Sequence, residues 1–347
     1  MVRAGAVLLV TAVLAVAAQA EVVQGLYMGQ VTVADRSQKE LARAAGEALS
    51  QVLVKVSGST EVLQLPEVAS VLPDAMSQAQ QFSYTRTGSE EQPLAARFEF
   101  DRRWVSQLLT RAGAPLWTAN RPEVLLWLVR DTPDGRQFVN RDSAPELVDE
   151  LEAGFARRGV PLRLPLFDLV DAGALSSDQA WSLNAATLRQ ASARYRVDEV
   201  LAGRMTELSS GDWVGDWAYL STQRRLDRSA APQSTAAFLD AGVDLVAEDM
   251  ASRYAVEAGS APASGIVMTV ENVSTYADFA AIVSWLEGLE LIEQATVERI
   301  DGDRLELRLL AQADASQLSA IIELNRHLMP VIEAAPTTTE LNYQWQN

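Results

Sequence analysis

The chain contains the unbroken apolar run Val124-Leu125-Leu126-Trp127-Leu128-Val129. Such a run is typical of a β-strand that is buried on both faces, as in a parallel sheet covered by helices. A helix pattern follows it, in which Ser143 and Glu146 have the spacing of a capping box. The later elements alternate as strand, helix, strand, strand and helix over residues 162–169, 179–195, 197–208, 213–227 and 235–256. This alternation predicts a middle α/β domain over residues 122–258.

The segment before this run has the patterns of a mixed domain. Period-two alternation over residues 22–33 predicts a strand, and a 3.6-residue apolar periodicity predicts a long helix after it. Ser37 and Glu40 have capping-box spacing at the start of this helix, and Gly58 ends it. A helix, a strand and a helix are then predicted over residues 65–81, 94–100 and 102–112. Together these elements predict an α+β domain over residues 21–113, followed by a linker up to Pro122.

The C-terminal part of the chain has the most regular alternation. The small-residue segment 258–265 predicts a flexible linker before it. Residues 265–347 follow the order βαββαβ, with the turn Asp301-Gly302-Asp303 between the two central strands. This order predicts a ferredoxin-like domain, in which a helix over residues 316–328 precedes an edge strand over residues 341–345. The whole chain is therefore predicted to be α/β and α+β, in three small mixed modules.

Residues 1–20 have the pattern of a cleavable signal peptide. Arg3 supplies one positive charge, and an uncharged apolar stretch follows it. Ala18 and Ala20 are small residues of the kind that a signal peptidase accepts before a cut ahead of Glu21. The apolar stretch is shorter than the roughly 20 residues that cross a bilayer, which argues against a retained anchor. The sequence predicts a periplasmic protein with no membrane span after cleavage.

The composition excludes several classes of chemistry. A formal charge of −17 would repel nucleic acid, so no nucleic-acid partner is expected. The chain has no cysteine and a single histidine, His327, which excludes thiolate nucleophiles, disulfides and multi-histidine metal centres. His327 is predicted near the end of the last helix, where a histidine is favourable to the helix dipole without any catalytic role. Five arginines could form a local basic patch, although separate solvated side chains are the simpler interpretation: Arg163, Arg189, Arg194, Arg196 and Arg204.

Sequence motifs of known enzymes do not occur in the chain, including phosphate loops, nucleophile elbows and metalloprotease motifs. No catalytic, cofactor-binding or metal-binding residue is therefore predicted. One local feature could support binding, because Trp213 and Trp217 share one side of a predicted strand and follow Asp212 and Asp216. Flat aromatic surface beside carboxylates suits sugar rings, so these four residues are candidate contacts for a cell-wall glycan. The structural alternative is a hairpin whose tryptophans cover a core.

Several short stretches, most of them in the N-terminal half, are specific enough to compare with known families. They are Leu26-Tyr27, Val33-Ala34-Asp35, residues 48–58, Leu65-Pro66, Gln81-Phe82-Ser83-Tyr84, Pro115-Leu116-Trp117, Arg121-Pro122 and Trp127. Through them the chain resembles the uncharacterised exported proteobacterial family known as domain-of-unknown-function family 2066. The resemblance covers most of the chain and is sharpest up to Trp127. It implies a family without an assigned activity, so no functional residue is carried over from it.

The predicted function follows from the compartment and from the lack of catalytic motifs. We expect a periplasmic protein that acts by binding and not by catalysis, as an accessory factor in cell-envelope assembly or maintenance. Its expected partner is an envelope protein. The alternative is a carboxylate-dependent cell-wall hydrolase or glycan-binding protein that uses Trp213 and Trp217, with cell-wall glycan as its partner. No cofactor is expected in either case.

Overall fold

The structure is a computed structural model of the chain. It contains α-helices and several mixed sheets, which confirms the predicted α/β class. The predicted signal peptide lies outside the described residues, as do residues 258–264 of the predicted flexible linker. No helix within the described part of the chain is long and apolar enough to cross a membrane. The structure describes residues 21–86, 94–257, 265–325, 327–331 and 340–346.

The N-terminal region is a three-stranded antiparallel sheet with a long helix across it. Its elements are β1 (Glu21–Val22), β2 (Met28–Thr32), α1 (Gln38–Ser57), α2 (Pro66–Val71), α3 (Ala75–Gln78), β3 (Ala79–Arg86), β4 (Leu94–Phe100) and α4 (Arg102–Arg111). The strand order is β2-β4-β3, and α1 lies against β2 and β4. Gly29 of β2 permits this close approach, since a Cβ there would come within 2.4 Å of the Ala48 carbonyl oxygen.

The start of α1 confirms half of the predicted capping box. The Ser37 hydroxyl accepts a hydrogen bond from the Glu40 N–H, as the spacing predicts. The Glu40 carboxylate accepts from the N–H of Ala34 instead of from Ser37, so it fixes the loop that enters the helix. Gly58 ends α1 in the left-handed conformation, with φ of +79°.

Two of the other elements predicted for this region differ in the structure. The predicted strand over residues 22–33 is divided into β1 and β2 by a turn at Gly25. The predicted helix over residues 65–81 is divided by a 3-10 turn at Leu72–Asp74. Pro73 lies in this turn, and a proline inside a helix removes a backbone donor and clashes with the preceding turn. The residues from Ala79 onward belong to β3.

The middle sheet is built around the apolar run. The elements of this region are β5 (Pro115–Leu116), β6 (Asn120–Arg121), β7 (Val124–Thr132), β8 (Gly135–Phe138), α5 (Pro145–Arg158), β9 (Leu162–Arg163), α6 (Leu169–Ala174), α7 (Ser177–Trp181), α8 (Ala185–Ser192), β10 (Glu199–Glu207), β11 (Trp213–Leu220), β12 (Arg225–Gln233) and α9 (Thr235–Tyr254). The strand order is β12-β11-β10-β7-β8, with β10 and β9 parallel to β7. Residues 124–129 are all buried, which confirms a strand covered on both faces.

The two faces of this sheet are covered differently. The long helices α5 and α9 pack against one face, which we call the closed face. The short helices α6, α7 and α8 pack against the opposite face, which we call the open face. The single helix predicted over residues 179–195 is divided in the structure, because Leu183 takes a positive φ of +52° and separates α7 from α8. The predicted strand over residues 162–169 is reduced to β9, and α6 begins at Leu169.

The hairpin and the capping box predicted for the middle domain also differ in detail. The N-cap of α5 is Ala144, and the Ser143 hydroxyl donates to the carbonyl of Phe138 instead of capping the helix. The predicted return strand over residues 213–227 is β11 together with the first residues of β12. A turn between Ser221 and Arg224 joins these two strands.

The linker predicted between the first two domains is part of the folded structure. β1 pairs with β6, and β5 pairs with β13 (Val256–Glu257). Arg121 is fully buried, and it donates to the carbonyl oxygens of Lys55 at 2.7 Å and Gly159 at 2.8 Å, at the ends of α1 and α5. Its guanidinium lies 3.7 Å from the ring centroid of Trp117. A cation is favourable at the carboxyl ends of helices, so Arg121 holds the two helices together.

The C-terminal sheet departs from the predicted ferredoxin-like topology. Its elements are β14 (Ile266–Glu271), α10 (Tyr276–Gly288), β15 (Ile292–Asp301), β16 (Arg304–Ala311), α11 (Ala315–Ile322), β17 (Leu328–Pro330) and β18 (Glu340–Trp345). The strand order is β15-β16-β14-β18-β17. β18 runs parallel to β14, whereas the last strand of a ferredoxin-like sheet is antiparallel to the first. The reversal arises because β17 forms a hairpin with β18 and takes the edge position that the sequence predicts for β18.

The N-terminal and C-terminal regions share one continuous group of buried apolar side chains. Hydrogen bonds also join the segment before β7 to the C-terminal region. Asn120 donates through its side-chain amide to the carbonyl of Ile321 at 3.2 Å, and the N–H of Ala119 donates to the Glu290 carboxylate at 3.2 Å. The predicted domain boundaries stay predictions, but the regions that they delimit are in contact.

Candidate functional site

A cleft opens on the open face of the middle sheet. Its volume is about 460 Å³. Trp127, Phe138 and Phe167 form its apolar wall, with ring centroids 5.6 Å apart for Trp127 and Phe138 and 5.4 Å apart for Phe138 and Phe167. Polar side chains, among them Asn140 and Asp171, line the rest of the cleft. Apolar surface with a few oriented polar groups is typical of binding sites.

The backbone of Phe167 takes a left-handed conformation that is unusual for a residue with a side chain. Its φ is +52°, which costs about 1–2 kcal/mol for a residue other than glycine. The N–H of Phe167 donates to the Asp171 carboxylate at 2.9 Å, and the N–H of Leu166 donates to the Tyr195 hydroxyl at 2.8 Å. The Tyr195 hydroxyl donates in turn to the same Asp171 oxygen at 2.5 Å. Strain that neighbouring contacts maintain is concentrated at functional sites, so Phe167 marks the cleft as a candidate.

Charged groups near Phe167 form a compact network. Arg194 contacts the carboxylates of Asp168 at 2.7 Å and of Asp171 at 2.9 Å. Hydrogen bonds from Arg194 hold the pKa of the Asp168 carboxyl well below its usual range. Burial, together with the hydrogen bond to Asp171, raises the pKa of Tyr195 to about 12. Both oxygens of Asp171 accept hydrogen bonds, from Arg194, from the Tyr195 hydroxyl and from the N–H of Phe167. This arrangement suits a carboxylate that fixes the backbone at Phe167.

An apolar ridge, which we define as Leu166, Leu169 and Val170, borders the cleft. These residues are 70%, 92% and 60% exposed, respectively. Asp171 lies in the same turn of α6 but points inward and is 2% exposed. α6 begins here because the Asp168 carboxylate caps it, accepting from the N–H groups of Val170 and Asp171. Adjacent exposed apolar side chains mark interaction surfaces, so we treat the ridge and the cleft as one candidate site.

The tryptophan pair predicted from the sequence lies on the closed face. Trp217 is fully buried, and its indole N–H donates to the carbonyl of Phe238 at 3.1 Å. Gly203 and Gly242 admit the ring, since a Cβ at either position would come within 2.6 Å of it. Trp217 is therefore unavailable to a sugar ring, which corrects that part of the predicted glycan site. Trp213 is half-buried beside the same core, and its contact with a glycan stays a prediction.

The two aspartates predicted beside these tryptophans are separated by the strand geometry. Asp216 lies in β11 next to Trp217, and consecutive strand residues point to opposite faces. It pairs with Arg204 at 2.7 Å, and a hydrogen bond from Ser229 is the main cause that lowers its pKa. Asp212 lies in the turn before β11 and accepts from the Ser210 hydroxyl at 3.0 Å. The four residues do not form one exposed surface.

The remaining residues singled out from the sequence have structural contacts. His327 lies in the turn before β17 and not on a helix, and its ring stacks on Trp345 with centroids 5.3 Å apart. Three of the five candidate basic-patch arginines pair with carboxylates: Arg163, Arg194 and Arg204. Arg189 donates to the carbonyl of Ser221 at 2.8 Å. In the part of the chain that the structure describes, no cluster of three or more His, Asp or Glu side chains could hold a metal ion.

Sequence reasoning did not locate the cleft or the ridge. Residues 166–169 fall in the strand predicted over residues 162–169, in which apolar residues dominate. The signal that could have corrected this is Asp168, an N-cap residue type placed directly before an apolar pair and a small-residue segment. Pro165 also disfavours the interior of a strand. The left-handed backbone at Phe167 has no sequence signature, because phenylalanine is rare in that conformation.

Comparison with known proteins identifies only an uncharacterised domain. Residues 20–118 match a family model described as a domain of unknown function (DUF8605). The match covers less than half of the chain, ends before the cleft, and is not to the family 2066 that the sequence resembles. No curated protein matches the chain. A crystal structure of an uncharacterized protein is similar at 13% identity, with 38% of this chain and 97% of that chain covered and a TM-score of 0.16.

Proposed function

We propose that this chain is a non-catalytic accessory protein of the cell envelope, which works through protein–protein contact at the ridge and the cleft. The observation that carries the proposal is the position of three strongly exposed apolar residues beside an aromatic cleft. The side chain of Leu169 is 92% exposed, and covering its apolar surface with a partner would lower the free energy. The signal-peptide pattern of residues 1–20 supports the compartment.

The charges around the cleft support binding as well. The acidic side chains there are paired with arginines, as in Arg194 with Asp168 and Arg136 with Asp178 at 2.9 Å. Paired charges at the rim of an apolar site are common in protein–protein interfaces, where they orient the partner without adding much affinity. The Asp171–Tyr195 contact keeps the ridge in one conformation, which lowers the entropy lost on binding.

The test is capture from cell envelopes with the mature chain and two matched variants. Leu169→Glu places a carboxylate on the ridge, at the first residue of α6, where an acidic group favours the helix. Ile300→Glu makes the same change at a 61% exposed residue of the C-terminal sheet. We expect the native chain and Ile300→Glu to retain the same proteins and Leu169→Glu to lose them. Equal retention by all three would overturn the proposed site.

The glycan alternative is tested beside it with purified peptidoglycan. Under our proposal the chain is not retained, and Trp213→Ala changes nothing in the envelope capture. Retention on peptidoglycan that Trp213→Ala abolishes, with no protein partner, would replace the proposal by the glycan-binding function. Trp213 is suited to this purpose because it is half-buried and its removal should leave the fold intact.

A further inference from the structure

The chain passes between two apolar cores at a pair of adjacent strands. Leu116 and Val256 belong to the core that the N-terminal and C-terminal regions share. Their neighbours Trp117 and Ala255 pack in the core between the middle sheet and the helices of its closed face. Because Leu116 and Val256 are paired in β5 and β13, the chain leaves the first core and returns to it at one place. Adjacent entry and exit points are typical of a domain that is inserted into another.

The core outside this insertion is built from both ends of the chain. Leu49 of α1 and Leu318 of α11 are both fully buried in it. We call the described residues of 21–116 and 256–346 the platform, and residues 122–255 the inserted unit. The platform contacts the inserted unit on its closed face, where α1 packs against α5 and α11 packs against α9. The open face, with the ridge and the cleft, is on the other side of the sheet.

Arg121 lies between the two units and is completely buried. Its guanidinium donates to the carbonyl of Lys55 at the end of α1 in the platform, and to the carbonyl of Gly159 just after α5 in the inserted unit. Two further hydrogen bonds, to the carbonyls of Trp117 and Thr118, fix the segment that joins the units. The forked guanidinium reaches all these acceptors at once, whereas a lysine ammonium offers a single nitrogen.

Where α1 meets α9, the contact between the units is tight at one point and open beside it. A Cβ at Gly58, which ends α1, would lie 2.4 Å from the Cβ of Ala251 in α9. Next to this contact is a second cleft, of about 480 Å³. Residues 57–61 of the platform line it on one side, and Glu248 and Ser252 of α9 line it on the other. The units do not touch where this cleft opens, so their attachment depends more on the buried hydrogen bonds of Arg121.

We infer that the middle region is an inserted domain and that Arg121 couples its unfolding to that of the platform. The chain then has two folding units instead of three modules, and one of the two is formed from both ends of the sequence. Breaking the bonds of Arg121 leaves buried acceptors without donors at the place where the units join, which is strongly destabilising. Intact, Arg121 holds the inserted unit in one orientation, with the open face directed away from the platform. This coupling acts whatever the chain binds at the ridge.

The first test is calorimetric unfolding of the mature chain and two matched variants. Arg121→Lys keeps the charge and loses the fork, whereas Arg157→Lys makes the same change at an exposed residue near the end of α5. We expect one transition for the native chain and for Arg157→Lys, and two for Arg121→Lys, the lower of them shifted down by at least about 5 °C. Two transitions in the native chain, or one in Arg121→Lys, would overturn the coupling.

The second test follows hydrogen exchange in the full chain and does not require Arg121→Lys to fold. Leu318→Ala and Leu151→Ala each remove a fully buried leucine side chain, the first from the platform and the second from the inserted unit. With Arg121 in place, each should accelerate exchange of the most protected amides in both α1 and β10 by at least about tenfold, because the two units unfold together. Acceleration confined to the substituted unit would contradict the coupling.

The same two substitutions, combined with Arg121→Lys, test how the platform is composed. Leu318→Ala should then accelerate exchange in α1 and leave β10 unchanged, although the whole inserted unit separates α1 from α11 in sequence. Leu151→Ala should accelerate exchange in β10 and leave α1 unchanged. If Leu318→Ala accelerates exchange only in the C-terminal region, the two ends of the chain fold as separate modules, and the inserted-domain architecture is excluded.

Discussion

The two faces of the middle sheet show how the same strands support a closed core on one side and the proposed contact surface on the other. The closed face is covered by α5 and α9, of 14 and 20 residues, which bury Trp217 completely. The open face is covered by α6, α7 and α8, of six, five and eight residues. These short helices leave part of the face uncovered, and the cleft lies between the segment of residues 167–177 and β8 with the residues that follow it. The comparison indicates that long helices cover their face of the sheet completely, whereas short helices leave part of the other face accessible.

The largest expected effect is on the closed face. Trp217→Ala removes a fully buried indole that packs against Gly203, Gly242 and Phe238. Replacing a buried tryptophan by alanine costs about 3–5 kcal/mol, and these glycines offer no side chain to fill the space. We expect the free energy of unfolding, measured by urea denaturation, to fall by that amount. Trp213→Ala is the matched control and should cost less than half as much, because Trp213 is half-buried.

The closed face and the open face also differ in how well the sequence predicted them. The buried strand at residues 124–129 and the long helix α9 were predicted because their apolar patterns extend over many residues. The helices of the open face were missed or merged, because each is too short for a 3.6-residue period to be read. Their ends depend on single residues such as Asp168 and Leu183, whose backbone conformation tertiary contacts determine. The candidate site is thus the part of the fold that the sequence predicts least well.

The C-terminal sheet gives a second reason for incomplete prediction. The order of elements is predicted correctly as far as α11, but the predicted helix extends to Leu328, the first residue of β17, and the sequence predicts no strand there. Leu328 continues the apolar pattern of Leu318, Ile321 and Ile322, so it fits a helix as well as a strand. Because the chain forms this additional strand before β18, β18 runs parallel to β14, whereas the predicted topology makes the two antiparallel. Local sequence preferences do not determine which strand pairs with which, so topology is predicted less reliably than the presence of elements.

The next largest effect is expected from the network that fixes the ridge. Asp171→Ala leaves the Tyr195 hydroxyl and the N–H of Phe167 without their acceptor and Arg194 without one of its carboxylates. Each buried group left unsatisfied costs about 1–3 kcal/mol, and we expect a total loss of about 2–3 kcal/mol because water reaches the exposed side of the loop. Hydrogen exchange should increase in residues 165–172 and remain unchanged in α9. Unchanged exchange in the loop would show that Asp171 does not hold it.

A matched pair of variants at Phe167 measures the strain on the open face. Phe167→Ala and Phe167→Gly both remove the ring from the cleft wall, but only glycine takes a positive φ without cost. The glycine variant should therefore be the more stable of the two by about 1 kcal/mol in thermal or urea unfolding. Both should lose binding at the cleft equally. An alanine variant at least as stable as the glycine variant would indicate that the loop relaxes when the ring is absent.

The smallest effect concerns pH, and its direction follows from the two shifted groups of the network. The lowered pKa of Asp168 means that its stabilising contact with Arg194 is complete above the unfolded value of about 3.9 and is lost only as pH falls below it. The raised pKa of Tyr195 means that the contribution of its hydroxyl to the free energy of unfolding is complete below about pH 10. This contribution is lost as the pH rises through about 12.

The contribution of this network should therefore be constant between pH 5 and pH 9. Tyr195→Phe keeps the ring and removes the hydroxyl, so the difference in unfolding free energy between it and the native chain isolates the hydroxyl's contribution. We expect this difference to stay flat from pH 5 to 9 and to shrink only above pH 10. A difference that changes between pH 6 and 8 would mean that another titrating group controls the loop. In that case the open face would be regulated by pH.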